Sequence, residues 1–237
     1  MDEIFPDMRP GQSLDDYIEK SLRPTPQEFS RFHTAVDLFV RFLQKTFSDS
    51  TYSVAKVLKS GSLAKGTALR DSSDIDLVVF INGLTDIDDL MVAREALKRR
   101  MIAAAETYPS SLKTKKSTKF AAKFAFNNIE LDVLPAFDAL RSYSGKRRNI
   151  YSAISQHLLS SKKIGQEFSA SLAPLQVAFI KTLRCSVKDY IRLMKQWKKV
   201  NDLTIPSYCL ELLTVKVWRD MGGSKKRQRP ASTFKYF

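Results

Sequence analysis

Apolar residues recur every three or four positions over 27–47, where Phe32, Val36, Phe39, Val40 and Leu43 share a stripe. That spacing predicts a helix with one buried face. A shorter helix is expected over 13–22, with Ser13 as N-cap and Leu14, Tyr17, Ile18 and Leu22 inward; Pro24 and Pro26 end it. The period then changes. Val54–Leu58 reads as a short strand, and Asp74–Phe80 as a longer one that closes at the Asn82-Gly83 turn. Helix returns over 86–105, with Leu90, Ala93, Leu97 and Ile102 inward and a Lys98-Arg99-Arg100 run expected to be solvated. Residues 109–119, rich in Ser, Thr and Lys, read as a mobile loop.

Lys119–Phe126 and Ile129–Leu134 alternate as strands, and the Asn127-Asn128 pair between them predicts a hairpin. From residue 150 on, helices dominate: 150–160, 165–172, a long and bent one over 174–200, and one from Pro206 that stops at Gly222-Gly223. The Lys225–Pro230 run reads as a basic loop, and the chain ends on the aromatic Phe234-Lys-Tyr-Phe237.

The stretch Lys59–Phe80 joins a small-residue turn to a strand that carries two carboxylates. Gly61 and Ser62 let the backbone approach a phosphate closely. Side chains alternate along a strand, so Asp74 and Asp76 point one way and Ile75, Leu77 and Val79 the other. Two carboxylates on one face repel unless a cation sits between them, and a hard cation with oxygen ligands, most simply Mg²⁺, meets that need. In the next strand Glu130, Asp132 and Leu134 share a face. Asp132 becomes a third carboxylate beside Asp74 and Asp76 if the strands pair, and a solvent-facing edge carboxylate if they do not.

A formal charge of +14 favours a polyanionic partner: nucleic acid, nucleotide phosphates or an anionic membrane. Fifteen Phe among 237 residues argue for a packed core rather than disorder. The two cysteines, Cys185 and Cys209, lie in apolar helical contexts and are expected to be small core residues. They form neither a disulfide framework nor a zinc cluster. The acidic start lacks a signal-peptide core and no run reaches the length of a membrane span, so a cytosolic or nuclear protein without a membrane partner is expected.

The order of these pieces resembles a known family. Gly61-Ser62, Asp74-Ile-Asp76 and Leu131-Asp132-Val-Leu-Pro135 resemble the DNA polymerase β-type nucleotidyltransferases. Lys65–Arg70, Ser73–Phe80, Leu131–Leu140, Ile191–Trp197 and Leu210–Val215 resemble the 2′-5′-oligoadenylate synthetases, in order from about 13 to 220. The resemblance implies an α+β, two-lobed fold: a mixed-sheet catalytic lobe with N-terminal helices over 1–148, and a helical lobe over 149–237 that in the family continues past Phe237. It implies that Asp74, Asp76 and Asp132 bind two Mg²⁺ ions, with Mn²⁺ as a substitute. Gly61 and Ser62 match the turn that contacts the triphosphate of ATP, Lys195 the lysine that holds donor phosphates, and Tyr208 the aromatic that stacks on the donor base. The implied reaction polymerises ATP into 2′-5′-linked oligoadenylate with release of pyrophosphate, in antiviral innate immunity.

Double-stranded RNA is the activator the resemblance implies, with Lys59 and Lys181 at matching basic positions and Arg184 nearby. Asp16 and Ser186 stand where vertebrate members carry basic residues, Ser207 where they carry Gln, and the usual Gly-Gly-Ser-Ser-Gly turn reads Ser60-Gly-Ser-Leu-Ala64. Two other readings stay open: a cyclic dinucleotide synthase of the cyclic GMP–AMP synthase type, and a catalytically inactive double-stranded RNA-binding protein. Oligomeric state is not written in the sequence.

Overall fold

The computed structural model describes residues 5–48, 52–72, 74–107, 112–126, 128–143, 147–160 and 167–223. The basic run at 225–230, the aromatic end and the start of the helix expected at 165 lie outside them. The chain divides into two compact units, each discontinuous in sequence. One combines 29–63 with 73–177, and the other combines 1–28, 64–72 and 178–237. They do not follow the contiguous division at 148/149 expected from the sequence: the N-terminal helix groups with the C-terminal ones.

The first unit is built on a mixed five-stranded sheet. Its strands are β1 (Val54–Lys59), β2 (Asp74–Ile81), β3 (Leu112–Lys115), β4 (Ala122–Phe126) and β5 (Ile129–Ala136), in the spatial order β1-β2-β5-β4-β3. β2 and β5 run parallel and every other pair is antiparallel. Ile75, Leu77, Leu131, Val133, Ala122 and Phe124 line one face in register. They are buried with side chains of α2 (Pro26–Thr46) and α4 (Ile87–Glu106) in a single core. Phe39 of α2 meets Phe124 of β4 with ring centroids 5.1 Å apart. On the opposite face Val78, Phe80 and Ala136 are covered by Ala173, with Leu58 and Ala170 against them. The charged ends of β2 and β5 lie on that same face, beyond the apolar cover.

The start of α2 is set by a reciprocal cap. Thr25 Oγ1 accepts from Glu28 N at 3.2 Å, Glu28 Oε2 accepts from Thr25 N at 2.6 Å, and Pro26 occupies the first helical position. Asp86 caps α4 by accepting from Asp89 N at 2.9 Å. The expected hairpin forms, with Phe126 opposite Ile129. Helices α5 (Ala139–Ser142) and α6 (Arg147–Ser160) follow β5.

The second unit packs the N-terminal α1 (Leu14–Tyr17), its π-helical extension Ile18–Leu22, and the helices α8 (Cys185–Val200) and α9 (Ser207–Asp220). Ser13 Oγ accepts from Asp16 N, as expected of an N-cap. Tyr17, Ile18, Leu22, Val187, Tyr190 and Ile191 share its core. Helix α7 (Ala173–Lys181) precedes α8.

Four expectations are corrected. Residues 112–115 of the supposed mobile loop form the edge strand β3, whose hydrogen bonds come from β4. Lys98 is buried rather than solvated: its ammonium donates to the carbonyls of Thr118 at 2.7 Å and Lys119 at 3.2 Å, while Arg100 donates to Thr46 O in the last turn of α2. These are carbonyls that secondary structure leaves without partners. The long helix over 174–200 is two helices, broken at 182–184, where Thr182 Oγ1 donates to Phe179 O and Arg184 is extended. Cys185 and Cys209 are exposed, not core.

Candidate active site

The parallel register of β2 and β5 assembles the carboxylates. Asp76 lies directly opposite Asp132, and Asp74 opposite Glu130. Partners across a parallel ladder project to the same side, so Asp74, Asp76, Asp132 and Glu130 share the charged end of one face. Of the alternatives left open for Asp132, the structure takes the first: β5 is an inner strand of the sheet and pairs with β2.

The turn before α3 (Gly61–Lys65) is fastened to this strand. Ser60 N donates to Asp76 O at 2.8 Å. Gly61 has φ +62°, and a Cβ there would fall 1.7 Å from Asp76 Oδ2. Only glycine fits between the turn and that carboxylate. The near neighbour of Gly61 within the protein is the Asp76 carboxylate. Ser62 follows in the first turn of α3.

Lysines answer the carboxylates of β5. Lys123 of β4 lies opposite Asp132, with Nζ 2.9 Å from Oδ2. Lys115 of β3 lies opposite Lys123 and pairs with Glu130. The hydrogen bond it donates to Asp132 holds the Lys123 ammonium above the ordinary lysine range, with Asp74 and Glu130 adding in the same direction. Lys115 in turn lowers the Glu130 carboxyl. Among the described residues, no three His, Cys, Asp or Glu side chains are gathered as a ready metal cluster. The donor set is nonetheless suited to Mg²⁺ or Mn²⁺: three carboxylates on one face of two adjacent strands, supplying hard oxygen ligands.

The second unit holds its own polar cluster. Glu211 of α9, 1% exposed in its side chain, accepts from Lys65 Nζ at 2.8 Å and from Lys195 Nζ of α8 at 2.9 Å. Thr67 Oγ1 lies 3.0 Å from Lys195 Nζ and 3.3 Å from Glu211 Oε1. The Lys65 ammonium also lies 4.6 Å from the centroid of the Tyr208 ring. Burial pushes Lys195 below the ordinary lysine range, against the opposing pull of Glu211. Arg192 binds the same 64–72 segment through its backbone, donating to Gly66 O at 2.6 Å and Ala68 O at 3.0 Å. Asp189 holds Arg192 at 2.8 Å and Arg23 at 2.7 Å.

The residues matched to RNA contacts belong to different units, Lys59 to the sheet unit and Lys181 and Arg184 to the helical one. Lys59, at the end of β1, meets His33 Nδ1 at 2.9 Å and Asp37 at 3.9 Å. Lys181 and Arg184 are exposed at the break between α7 and α8, where Lys188 Nζ donates to Lys181 O.

Comparison with known proteins gives this geometry its context. The family described as "Second Messenger Oligonucleotide or Dinucleotide Synthetase domain" matches residues 8–153, and "2′-5′-oligoadenylate synthetase 1, domain 2, C-terminus" matches residues 144–236. The 2′-5′-oligoadenylate synthase 1A of Rattus norvegicus is 32% identical over 240 residues, covering 90% of this chain and 67% of the relative. The chain belongs to the 2′-5′-oligoadenylate synthetase family.

Other members align at similar levels. The synthase 1A of Mus musculus is 34% identical over 90% of the chain and 65% of its own length. The synthase 2 of Rattus norvegicus is 33% identical over 91% of the chain, of which this chain spans 33%. The chain thus spans from about a fifth to two thirds of the curated relatives it matches. Among solved structures, E. coli MS115-1 CdnC with ATP superposes with a TM-score of 0.59 at 22% identity, covering 87% of this chain and 64% of that one. A cytoplasmic RNA terminal U-transferase gives a TM-score of 0.53 at 17% identity, over 86% and 50%. These likenesses establish the polymerase β-type nucleotidyltransferase fold of the family.

Sequence reasoning missed Lys65, Thr67 and Glu211 as a cluster, and Lys123 as the partner of Asp132. The Lys65–Arg70 and Leu210–Val215 motifs contain the first three but give no hint that they meet. For Lys123 a signal existed: it falls on the alternate position of β4 that a hairpin sets beside Asp132.

Proposed function

We propose that this chain is a nucleotidyltransferase that polymerises ATP into 2′-5′-linked oligoadenylate. The observation that carries the reading is the register of Asp76 with Asp132, with Asp74 two positions along the same face. The acceptor 2′-hydroxyl releases its proton to solvent, its oxygen forms a bond to the α-phosphorus of ATP, the bond from that phosphorus to its bridging oxygen breaks, and pyrophosphate leaves. Asp74, Asp76 and Asp132 would hold two divalent cations, Mg²⁺ or Mn²⁺, whose chemistry is to stabilise phosphate charge and acidify the acceptor hydroxyl. The Gly61-Ser62 turn, fastened to β2 through Ser60, would present backbone N–H groups and the Ser62 hydroxyl to the triphosphate. Lys195 is assigned to the donor phosphates as a compact positive charge, and Tyr208 to the donor base through its ring face.

Double-stranded RNA is the proposed activator, read by shape and phosphates rather than sequence. Lys59, Lys181 and Arg184 are the candidate contacts. Lys59 is engaged with His33 and Asp37 and would have to exchange those partners for phosphate. The match to the family named for oligonucleotide or dinucleotide synthesis supports one second reading, a cyclic dinucleotide product from the same carboxylates.

Turnover of labelled ATP with Mg²⁺, with and without long duplex RNA, tests both. Linear products that resist a 3′-5′-specific nuclease support the proposal, and RNA stimulation supports the activator. A cyclic product moves the chain to the second reading. Asp74→Asn with Asp76→Asn must abolish turnover and leave RNA affinity within about twofold; activity surviving in that double variant overturns the site.

A further inference from the structure

We propose that Lys123 is the resident counter-cation of the carboxylate site, and that a divalent cation must displace its ammonium from Asp132 to bind. The inference rests on the reading that Asp74, Asp76 and Asp132 are the cation ligands.

The argument is one of register. Asp76, Asp132, Lys123 and Lys115 are successive partners across four adjacent strands. They form a single row across the sheet, two acids then two bases, with neighbours about 5 Å apart. Lys123 Nζ sits 2.9 Å from Asp132 Oδ2, close enough to occupy an oxygen that a metal ion would need. One position along, Lys115 pairs with Glu130. Each of the two acids of β5 on this face therefore has its own lysine from the β4–β3 side. Lys123 is set against the acid assigned to the cation, and Lys115 against the acid that is not.

The pair is built to exchange. Lys123 and Asp132 are 28% and 25% exposed, so water screens their attraction and competes for both groups. A doubly charged ion with several carboxylate ligands outcompetes a single ammonium on one oxygen. The flexible four-carbon stem of lysine lets the ammonium swing aside while the strand stays in place. Until then, Lys123 neutralises a carboxylate that would otherwise repel its in-register partner Asp76.

Direct Mn²⁺ binding to the full chain without nucleotide, followed by the electron paramagnetic resonance signal of free Mn²⁺, tests this without reference to activity. Lys123→Met keeps the apolar stem and removes the competitor. It is expected to tighten Mn²⁺ binding about five- to tenfold, and Lys123→Gln is expected to do the same with a polar replacement. Lys115→Met removes an equal charge one strand over, and its effect should stay within about twofold. Unchanged affinity in both Lys123 variants overturns the inference while leaving the cation site standing. Equal tightening by Lys115→Met also overturns it, because the effect would then be the general field rather than the Asp132 contact. Saturable binding that persists in Asp74→Asn with Asp76→Asn removes the cation assignment, and the inference falls with it.

Discussion

Gly61 lies so close to Asp76 that a Cβ on it would stand 1.7 Å from the carboxylate oxygen Oδ2. The turn and the carboxylate are thus one rigid unit, joined also by the bond from Ser60 N to Asp76 O. Gly61→Ala is expected to fail twice: the residue must hold φ +62°, and its methyl must evict Asp76. The backbone term costs about 1 kcal/mol, so the fold should survive. Turnover should drop at least a hundredfold, because Asp76 is pushed from its place beside Asp132. Thermal melting alongside ATP turnover checks this; near-normal activity in a folded variant would show that Asp76 need not stand where the structure puts it.

The Glu211 carboxylate neutralises two lysines at once, Lys65 and Lys195, in a buried setting. Glu211→Gln keeps the shape and removes the charge, so two ammonium groups face each other with no counter-charge between them. A loss of about 3 kcal/mol in unfolding free energy is expected, as for other buried pairs stripped of one partner. Urea unfolding measures it. The double variant Glu211→Gln with Lys65→Met should recover part of the loss, since it removes the stranded charge as well.

These two cases show what the chain discloses before it folds. The strand period separates Asp74 and Asp76 from Ile75 and Leu77, so the carboxylate pair and its core side were legible at once. The Asn-Asn turn announced the β4–β5 hairpin, and the hydrophobic stripe announced α2. Strand β3 was hidden because an edge strand reading Leu-Lys-Thr-Lys buries only its first residue, leaving no alternation to detect. The Lys65–Glu211 bond joins positions 146 apart, and no local pattern encodes such a partner. Lys98 looked like a solvated charge because its acceptors are backbone carbonyls of a loop, which the sequence of α4 does not announce. The break at 182–184 carries neither Pro nor Gly, so nothing punctuated it.

Lys195 makes a prediction about alkaline pH. Burial lowers its pKa beneath the ordinary 10.5, so it loses its proton before a free lysine does. Between the lowered value and 10.5 the unfolded chain binds more protons than the folded one at this site. Stability therefore rises with pH across that window, while the positive charge assigned to donor phosphates disappears. The KM for ATP should climb on raising the pH toward that window, with no matching loss of folded protein. Lys195→Arg, which cannot deprotonate there, should flatten the climb. A KM that rises equally in both proteins would point to another titrating group.

Glu167 gives a pH dependence of the same sign at the acid end. It is 4% exposed, pairs with Arg94, and lies 2.6 Å from Lys119 Nζ. Burial pushes its pKa up, but the bonds from Arg94 and Lys119 outweigh this and hold it below the ordinary 4.5. Above that value Glu167 is ionised in both states and its contribution is complete. As pH falls below 4.5 the unfolded chain takes up the proton first, and stability drains away until the folded carboxyl also protonates. Glu28 adds a loss of the same sign, since its bonds from Thr25 and Asp71 outweigh burial in the same way. Glu167→Gln should cost about 3 kcal/mol at neutral pH, because Arg94 stays buried and its Nε already lacks an acceptor among the described residues. It should also remove part of the acid slope, so the variant and the parent chain converge as the pH falls through the lowered titration of Glu167, below 4.5. Urea midpoints measured from about pH 6 downward test both statements. Parallel curves that never converge would assign the loss to packing rather than to the ionised pair.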